Sequence, residues 1–391
     1  MTADPARSLS EGTVAVIGGG IAGAAASAAL RLRGLPVLWI APPREDRPRA
    51  GESLAAAARP LLETLGAGRF LDRPVHRRME TSFSNWGTRA LLERSAMALP
   101  GGLGTAIDRN AFEKDLLGLA LDSGATRLPT SVHTACRTDS GWWLRTIDGG
   151  TLTAGLLVDA TGRSSLIGRR MTVMRRQDRM IAAVAFLRQR SSDIDPTRTT
   201  LIEAVPDGWW YASLLADGCL AVNHYTDPDL LPRGLGRDQE AWGRLIADTC
   251  YISKWIDTGG FEIAQVPDLT SAGSTWLDRA AGPDWIAVGD AAAAFDPLSA
   301  HGMTTALWTA INAAEAVSRS LAGDTAALDA YADRVADGVA RFRAEQTAIY
   351  RRERRFARHP FWTRRNTPAH HAQPEPIRST EGRQTELTTG G

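Results

Sequence analysis

The chain has 391 residues, 45 Lys or Arg against 44 Asp or Glu, a formal net charge of +1 and a hydrophobic share of 43%. That length allows one large or two medium domains, and the near-neutral balance excludes a global field for nucleic acid or acidic membranes. No apolar run approaches the roughly 20 residues that span a bilayer, and the opening MTADPARSLSEG lacks the apolar core of a signal peptide. Cys136, Cys219 and Cys250 form no C-x-x-C pair, so neither a disulfide nor a metal site is expected, and a cytoplasmic location follows as the default.

The first element is the stretch Thr13–Gly34, in which an apolar run Val14–Ile17 leads into Gly18-x-Gly20-x-x-Gly23 and an Ala-rich segment. This predicts a buried strand turning sharply into a helix whose first N–H groups and positive dipole end face a pyrophosphate. Gly18 permits the turn, Gly20 the approach of backbone to phosphate, and Gly23 the packing of helix on strand. Pro36–Ile40 is the expected second parallel strand. The acid that usually follows it, for the ribose hydroxyls, falls at Ala41, and Glu45 and Asp46 come too late.

Gly51-Glu52-Ser53 opens a helix predicted over 54–65, with Ser53 either its N-cap or a neighbour of Glu52 beside a cofactor ring. Strands are expected at 82–86 and 89–92. Asp108 reads as the N-cap of a helix over 112–121, which leaves Arg109 to reach outward. Short strands follow near 131–136 and 142–146, with a turn at Asp148-Gly149-Gly150. Leu156–Asp159 suits a central parallel strand ending at Ala160-Thr161-Gly162. Residues 171–270 read mostly as β, with Asp217-Gly218 as a hairpin turn. Trp285–Val288 is another strand, followed by Gly289-Asp290, the segment Phe295–Gly302 and a helix with an apolar stripe. A basic helical segment occupies 327–357. From Thr367 the chain is polar and rich in Pro and Gly, composition that predicts disorder, with His370-His371 incidental.

The glycine loop, Asp159-Ala160-Thr161-Gly162 and Gly289-Asp290, in that order, resemble the three fingerprints of the flavoprotein monooxygenases, over about residues 12–325. The resemblance implies an α/β fold. It comprises an FAD-binding, glutathione-reductase-like (Rossmann-type) domain with an inserted antiparallel β substrate domain and a C-terminal helical segment. The expected division is 11–71, 101–170 and 275–325 for the FAD-binding domain, and 72–100 and 171–274 for the substrate domain. A basic helical segment would fill 326–365 and a disordered tail 366–391. Gly18, Gly20, Gly23, Arg109, Thr161, Gly162, Asp290, Pro297, Gly302 and Met303 would hold FAD.

Gly51-Glu52-Ser53, Ser82–Trp86, Gly208–Tyr211 and Asp296–Ser299 look most like the tryptophan-halogenase branch. Those halogenases carry a catalytic lysine where this chain has Ser82, a glutamate at the place of Ser299, and Thr-Gly at His301-Gly302. The only lysines here are Lys114 and Lys254, so halogenation is not expected. The same lysine-less pattern resembles maturases that oxygenate a tryptophan during tryptophylquinone formation. A monooxygenase acting on an electron-rich aromatic ring is therefore expected, the ring being free or protein-bound indole. Reducing power would come from NAD(P)H or from reduced flavin made by a separate reductase. His301, Glu52 and Tyr211 are the acid–base candidates, and Trp86, Trp209, Trp210, Ser82 and His224 the pocket candidates. Two alternatives stay open: a flavin-dependent reductase of isoprenoid double bonds, and a flavin-bearing maturation scaffold without catalysis.

Overall fold

The computed structural model describes residues 7–8, 13–43, 51–99, 101–139, 141–191, 193–366 and 373–374. At its centre, Val14–Ile17 pairs in parallel with Val37–Ile40 on one side and Leu156–Asp159 on the other. Trp285–Ala287 and Thr126–Leu128 extend the parallel sheet at either side, and Ala281–Gly282 adds one antiparallel edge. The inner strands are apolar on both faces, with the helix Ile21–Leu32 and the small antiparallel sheet of Val132–Thr138, Gly141–Thr146 and Thr151–Ala154 packed into the same core. Ile21–Leu32 packs against Gly302–Leu321 and Arg109–Asp122.

A second sheet is predominantly antiparallel. Its order is Phe261–Glu262, Ile181–Gln189, Leu220–Thr226, Gly208–Leu214, Thr199–Val205, Thr81–Asn85 and Leu92–Ser95, with Asp268–Ser271 also paired to Ile181–Gln189. Thr81–Asn85 enters from far earlier in the chain and pairs in parallel with Thr199–Val205. One face of this sheet is covered by the helices Gln239–Ala247 and Ile252–Thr258, which the β reading of 171–270 did not anticipate. Trp242, Ile246, Ile252 and Ile256 recur at helical spacing and bury against Trp210, Ala212 and Val222. Glu203 sits beneath the second helix and accepts the N–H groups of Cys250, Tyr251 and Ile252 at 2.7, 2.9 and 2.9 Å.

Asp108 caps the helix Arg109–Asp122 as expected, accepting the Ala111 N–H at 2.9 Å. Ser53 does not cap a helix. Ser53–Leu54 is a strand paired with Thr105–Ala106, and the helix begins only at Ala58. Pro60 then falls in its first turn, where a missing N–H costs no helical bond.

The long helix Ala327–Arg352 and the short helix Pro360–Asn366 lie against the antiparallel sheet, where Tyr350, Phe361 and Trp362 are buried with Trp209 and Tyr225. Much of their basic charge is spent internally. Arg355 pairs with Glu353, Arg365 with Asp227, and Arg364 with both Asp227 and Asp229. Asn366 closes a helix, and Gln373–Pro374 pairs with Arg175–Arg176, so the tail reading fails at those positions. Its remainder, including His370-His371, lies outside the described residues, as do Glu45 and Asp46. Among the described residues, no helix is long and apolar enough to cross a membrane, and no group of His, Cys, Asp and Glu could hold a metal.

Candidate functional site

The carboxyl ends of the parallel strands and the face of the antiparallel sheet turned away from the helices Gln239–Ala247 and Ile252–Thr258 enclose a cavity of about 1130 Å³. At one end lie Gly18, Gly19 and Gly20 and the start of the helix Ile21–Leu32. No side chain caps that helix, so its first N–H groups are left for a ligand. Gly18 has φ of +124°, and a Cβ there would lie 2.1 Å from the Ala160 carbonyl oxygen. A Cβ on Gly23 would lie 2.0 Å from the Gly18 carbonyl oxygen, which accepts the Trp39 indole N–H at 2.9 Å. The turn therefore tolerates no side chain at either position.

Asp159 is wholly buried, and its carboxylate accepts the N–H groups of Thr161, Ile167 and Gly168 and the Thr161 hydroxyl. It thereby presents Thr161 and Gly162 to the cavity. Gly289-Asp290 is held from the other side by the Thr309 hydroxyl, which accepts the Gly289 N–H at 2.8 Å. Asp290 lines the cavity 3.5 Å from the Arg163 guanidinium. Withdrawal from bulk water pushes its carboxyl up, against the pull of Arg163 and then Arg109. Arg109 lies across Gly51, where a Cβ would come within 2.4 Å of its guanidinium, and pairs with Glu113 at 3.0 Å. At the place of the missing ribose acid, Arg127 donates to the carbonyl oxygens of Ala41 and Pro42.

The middle of the cavity is bounded by Pro297, Leu298, Ala300, Gly302 and Met303. Asp296 organises this loop. Its carboxylate accepts the Leu298 N–H, the Gln346 amide and the Tyr350 hydroxyl, and burial pushes it up in spite of them. Ala300 has φ of +52°, a left-handed conformation that places strain next to the cavity. The helix Gly302–Leu321 starts without a side-chain cap, with His301 at the N-cap position. His301 is part-buried with Nδ1 unpartnered and is not among the cavity-lining residues.

At the far end, alternation along Gly208–Leu214 sends Trp209 and Tyr211 to the cavity and Trp210 to the opposite face. Tyr225 joins the wall, stacked on Trp209 at 4.0 Å between centroids. Trp210 and His224 are corrections to the expected pocket. They stack on each other at 4.5 Å beneath Trp242, and burial pushes His224 down to about 3. Trp86 stands behind the wall, edge-on to Trp209, with its indole donating to the Ile349 carbonyl. Ser82 lines the cavity, as does Glu52, which is 3% exposed. Burial pushes the Glu52 carboxyl up, opposed by backbone N–H groups, Asn223 and Arg109, and burial likewise raises the Tyr211 hydroxyl.

Apart from Trp210, His224, Trp86 and His301, every expected site residue but Gly23 borders this one cavity, and Gly23 packs beneath its floor. Sequence reasoning missed Tyr225 and Arg163, and gave no role to Asp296. Asp296 lay within a quoted motif, whereas Tyr225 was one of several aromatics with no spacing signal.

The family model for tryptophan halogenases matches residues 102–386. The chain belongs to the tryptophan halogenase family. The family binds FAD, and the chain is an oxidoreductase of that flavin-dependent kind. It is 28% identical over 368 residues to LodB of Marinomonas mediterranea, assigned as an FAD-dependent oxidoreductase, covering 90% of this chain and 96% of the relative. Among solved structures, the peptidyl tryptophan dihydroxylase QhpG, essential for tryptophylquinone cofactor biogenesis, is 25% identical with a TM-score of 0.75. That match covers 90% of this chain and 78% of QhpG. The flavin-dependent halogenase CmlS shares the fold with a TM-score of 0.79 at 24% identity, over 92% of this chain and 68% of its own.

Proposed function

We propose that this halogenase-family protein is an FAD-dependent monooxygenase that hydroxylates an electron-rich aromatic ring, with a tryptophan carried by a partner protein as the favoured substrate. The observation that carries the reading is the pairing, in one cavity, of a glycine-lined phosphate cradle with a wall of Trp209, Tyr211 and Tyr225, while Ser82 stands where a halogenase keeps its lysine. A halogenase needs an ammonium to hold and pass on hypohalous acid, and a serine hydroxyl supplies no such charge. The likeness to QhpG supports the indole and the protein-borne substrate.

The residues present fit FAD. Gly18, Gly20 and the uncapped helix start suit the pyrophosphate, Asp290 and Arg109 its flanking polar groups, and Pro297, Gly302 and Met303 the ring. When bound and reduced, FAD supplies the electrons that activate dioxygen. The N-terminal N–H groups of the helix Gly302–Leu321 favour negative charge in the cavity by about 0.3–2 kcal/mol. Trp209 and Tyr225, stacked on each other, give the cavity an apolar aromatic wall that excludes water. Glu52 and Tyr211 hold protons beside them.

Reduced flavin from a separate reductase, or transient NAD(P)H, would complete the cycle. The test is incubation with reduced FAD, dioxygen and indoles, phenols or tryptophan-containing partner proteins. A product heavier by one or two oxygen atoms is expected. Turnover under strict anaerobiosis would support the reductase reading instead.

A further inference from the structure

Four polar side chains on the cavity side of the antiparallel sheet leave their atoms unsatisfied together. Tyr211 and Asn223 are directly opposite on adjacent strands, so their side chains share a face, and Ser213 follows Tyr211 by two residues on that same face. Glu52 reaches this group from the segment that hydrogen-bonds to Ile107. Glu52 Oε1, Tyr211 Oη, Ser213 Oγ and both amide atoms of Asn223 are buried with no partner within 3.5 Å, although Asn223 lies close enough to Glu52, and Ser213 and Ser53 to Tyr211, to act on them weakly. Glu52 is 3% exposed, and Ser213 and Asn223 are fully buried. An unpartnered buried polar group is costly, and a buried water with two to four polar partners is the usual remedy.

We propose that Asn223 and Ser213 are positioning residues of a buried polar chamber, formed with Glu52 and Tyr211, that holds ordered water and lets Glu52 exchange a proton with the cavity. This rests on the monooxygenase reading for its use in turnover, and on the geometry alone for its existence. The Asn223 amide has two donors and two acceptor sites, and Ser213 and Tyr211 each donate and accept, so water can bridge all of them to the carboxyl. As the bound water gives a proton to an acceptor in the cavity, the Glu52 O–H bond breaks and its proton replaces the one the water lost. The proton released from the hydroxylated ring carbon returns by the same route, so the carboxyl ends as it began.

The ionisable groups facing Glu52 are Arg109 from the helix below and Tyr211, Tyr225 and Cys219 from the sheet, with Arg77 beside Tyr211. Burial pushes the Glu52 carboxyl above the ordinary carboxylate range, and backbone N–H groups and the Asn223 amide oppose that.

Infrared difference titration of the purified full chain tests the chamber without turnover. A protonated-carboxyl C=O band is expected, absent in Glu52→Gln, and in Asn223→Leu its titration midpoint is expected to rise by roughly one pH unit. Ser213→Ala, which deletes only a hydroxyl, is expected to move the same band to a smaller extent, and serves if Asn223→Leu does not fold. In oxygen-dependent product formation, the kcat pH profile is expected to move with the band while KM holds. A band indifferent to both variants would overturn the chamber, and a rate profile indifferent to the moved band would overturn the proton exchange. Failure of the wild type to oxygenate any aromatic would overturn the monooxygenase reading and, with it, the chamber's use in turnover, while the infrared result still decides whether the chamber exists.

Discussion

The Tyr350 hydroxyl donates to the Asp296 carboxylate at 2.6 Å, joining the C-terminal helix to the loop that bounds the middle of the cavity. The same hydroxyl accepts the Trp209 indole N–H at 3.1 Å, so one phenol ties the loop to the aromatic wall. Gln346, one turn earlier, completes the carboxylate at 2.9 Å. Tyr350→Phe keeps the ring contacts with Trp86 and Trp362 but strips both hydrogen bonds. The orphaned indole should cost about 1–3 kcal/mol, and the carboxylate, still bonded to Leu298 and Gln346, less, read as a lower denaturation midpoint at unchanged m-value. Substrate KM should rise as the wall loosens, with flavin retained.

Gly18→Ala and Gly23→Ala should each abolish flavin retention. Neither backbone carbonyl that the new methyl meets can withdraw without breaking the turn. Flavin absorbance after gel filtration is the readout. Gly34→Ala is the control, since its φ is +78° but nothing lies within 4 Å of the added methyl. It should cost about 1–2 kcal/mol and leave flavin bound.

Glu203 underlies the helix Ile252–Thr258 on the sheet face away from the cavity, where it serves three N–H groups. Glu203→Ala should destabilise by about 1.5–3 kcal/mol in chemical denaturation. Flavin binding should be unchanged, because the helix packs on the Trp210, Ala212 and Val222 face of the sheet, away from the cavity.

Burial raises the Asp178 carboxyl, opposed by Arg365 and reinforced by Asp296 and Asp227. A carboxyl raised in the folded state contributes stability below its unfolded value that is lost as pH climbs through the folded one. Asp178→Asn removes that loss. Its Tm should therefore exceed the wild type's by more at about pH 8 than at about pH 3.5, below the ordinary carboxylate range.

Chloride or bromide supplied with reduced FAD and dioxygen should give no halogenated indole. Ser82 is the cavity-lining residue at the lysine's place, and the chain's two lysines lie elsewhere, on Arg109–Asp122 and Ile252–Thr258. Mass spectrometry of the products decides it, and a chlorinated or brominated product would restore the halogenase reading.

Much of the architecture was legible because it rests on local rules. The Val14–Ile17 run, three glycines at fixed spacing and an Ala-rich stretch specify strand, turn and helix through sterics and dipoles that act within a few residues. Asp108 announced its helix for the same reason. Ser53 reads either as a helix N-cap or as a neighbour of Glu52, and pairing with Thr105–Ala106, a contact with no local signal, takes it into a strand. The family likeness at Gly18, Asp159 and Asp290 also came from sequence, through the order of three short motifs.

The tertiary structure alone decided which side chains meet. Alternation separates Trp210 from Trp209 and Tyr211, but which set faces the cavity depended on two helices from 239–258 covering one face of the sheet. Asp296, Tyr350 and Trp209 converge from three distant places, as do Glu52 and Asn223. Such contacts carry no spacing in the chain, because they arise from the packing of two sheets and a C-terminal helix around one cavity. The sequence determined the phosphate cradle; the fold determined what stands at its other end.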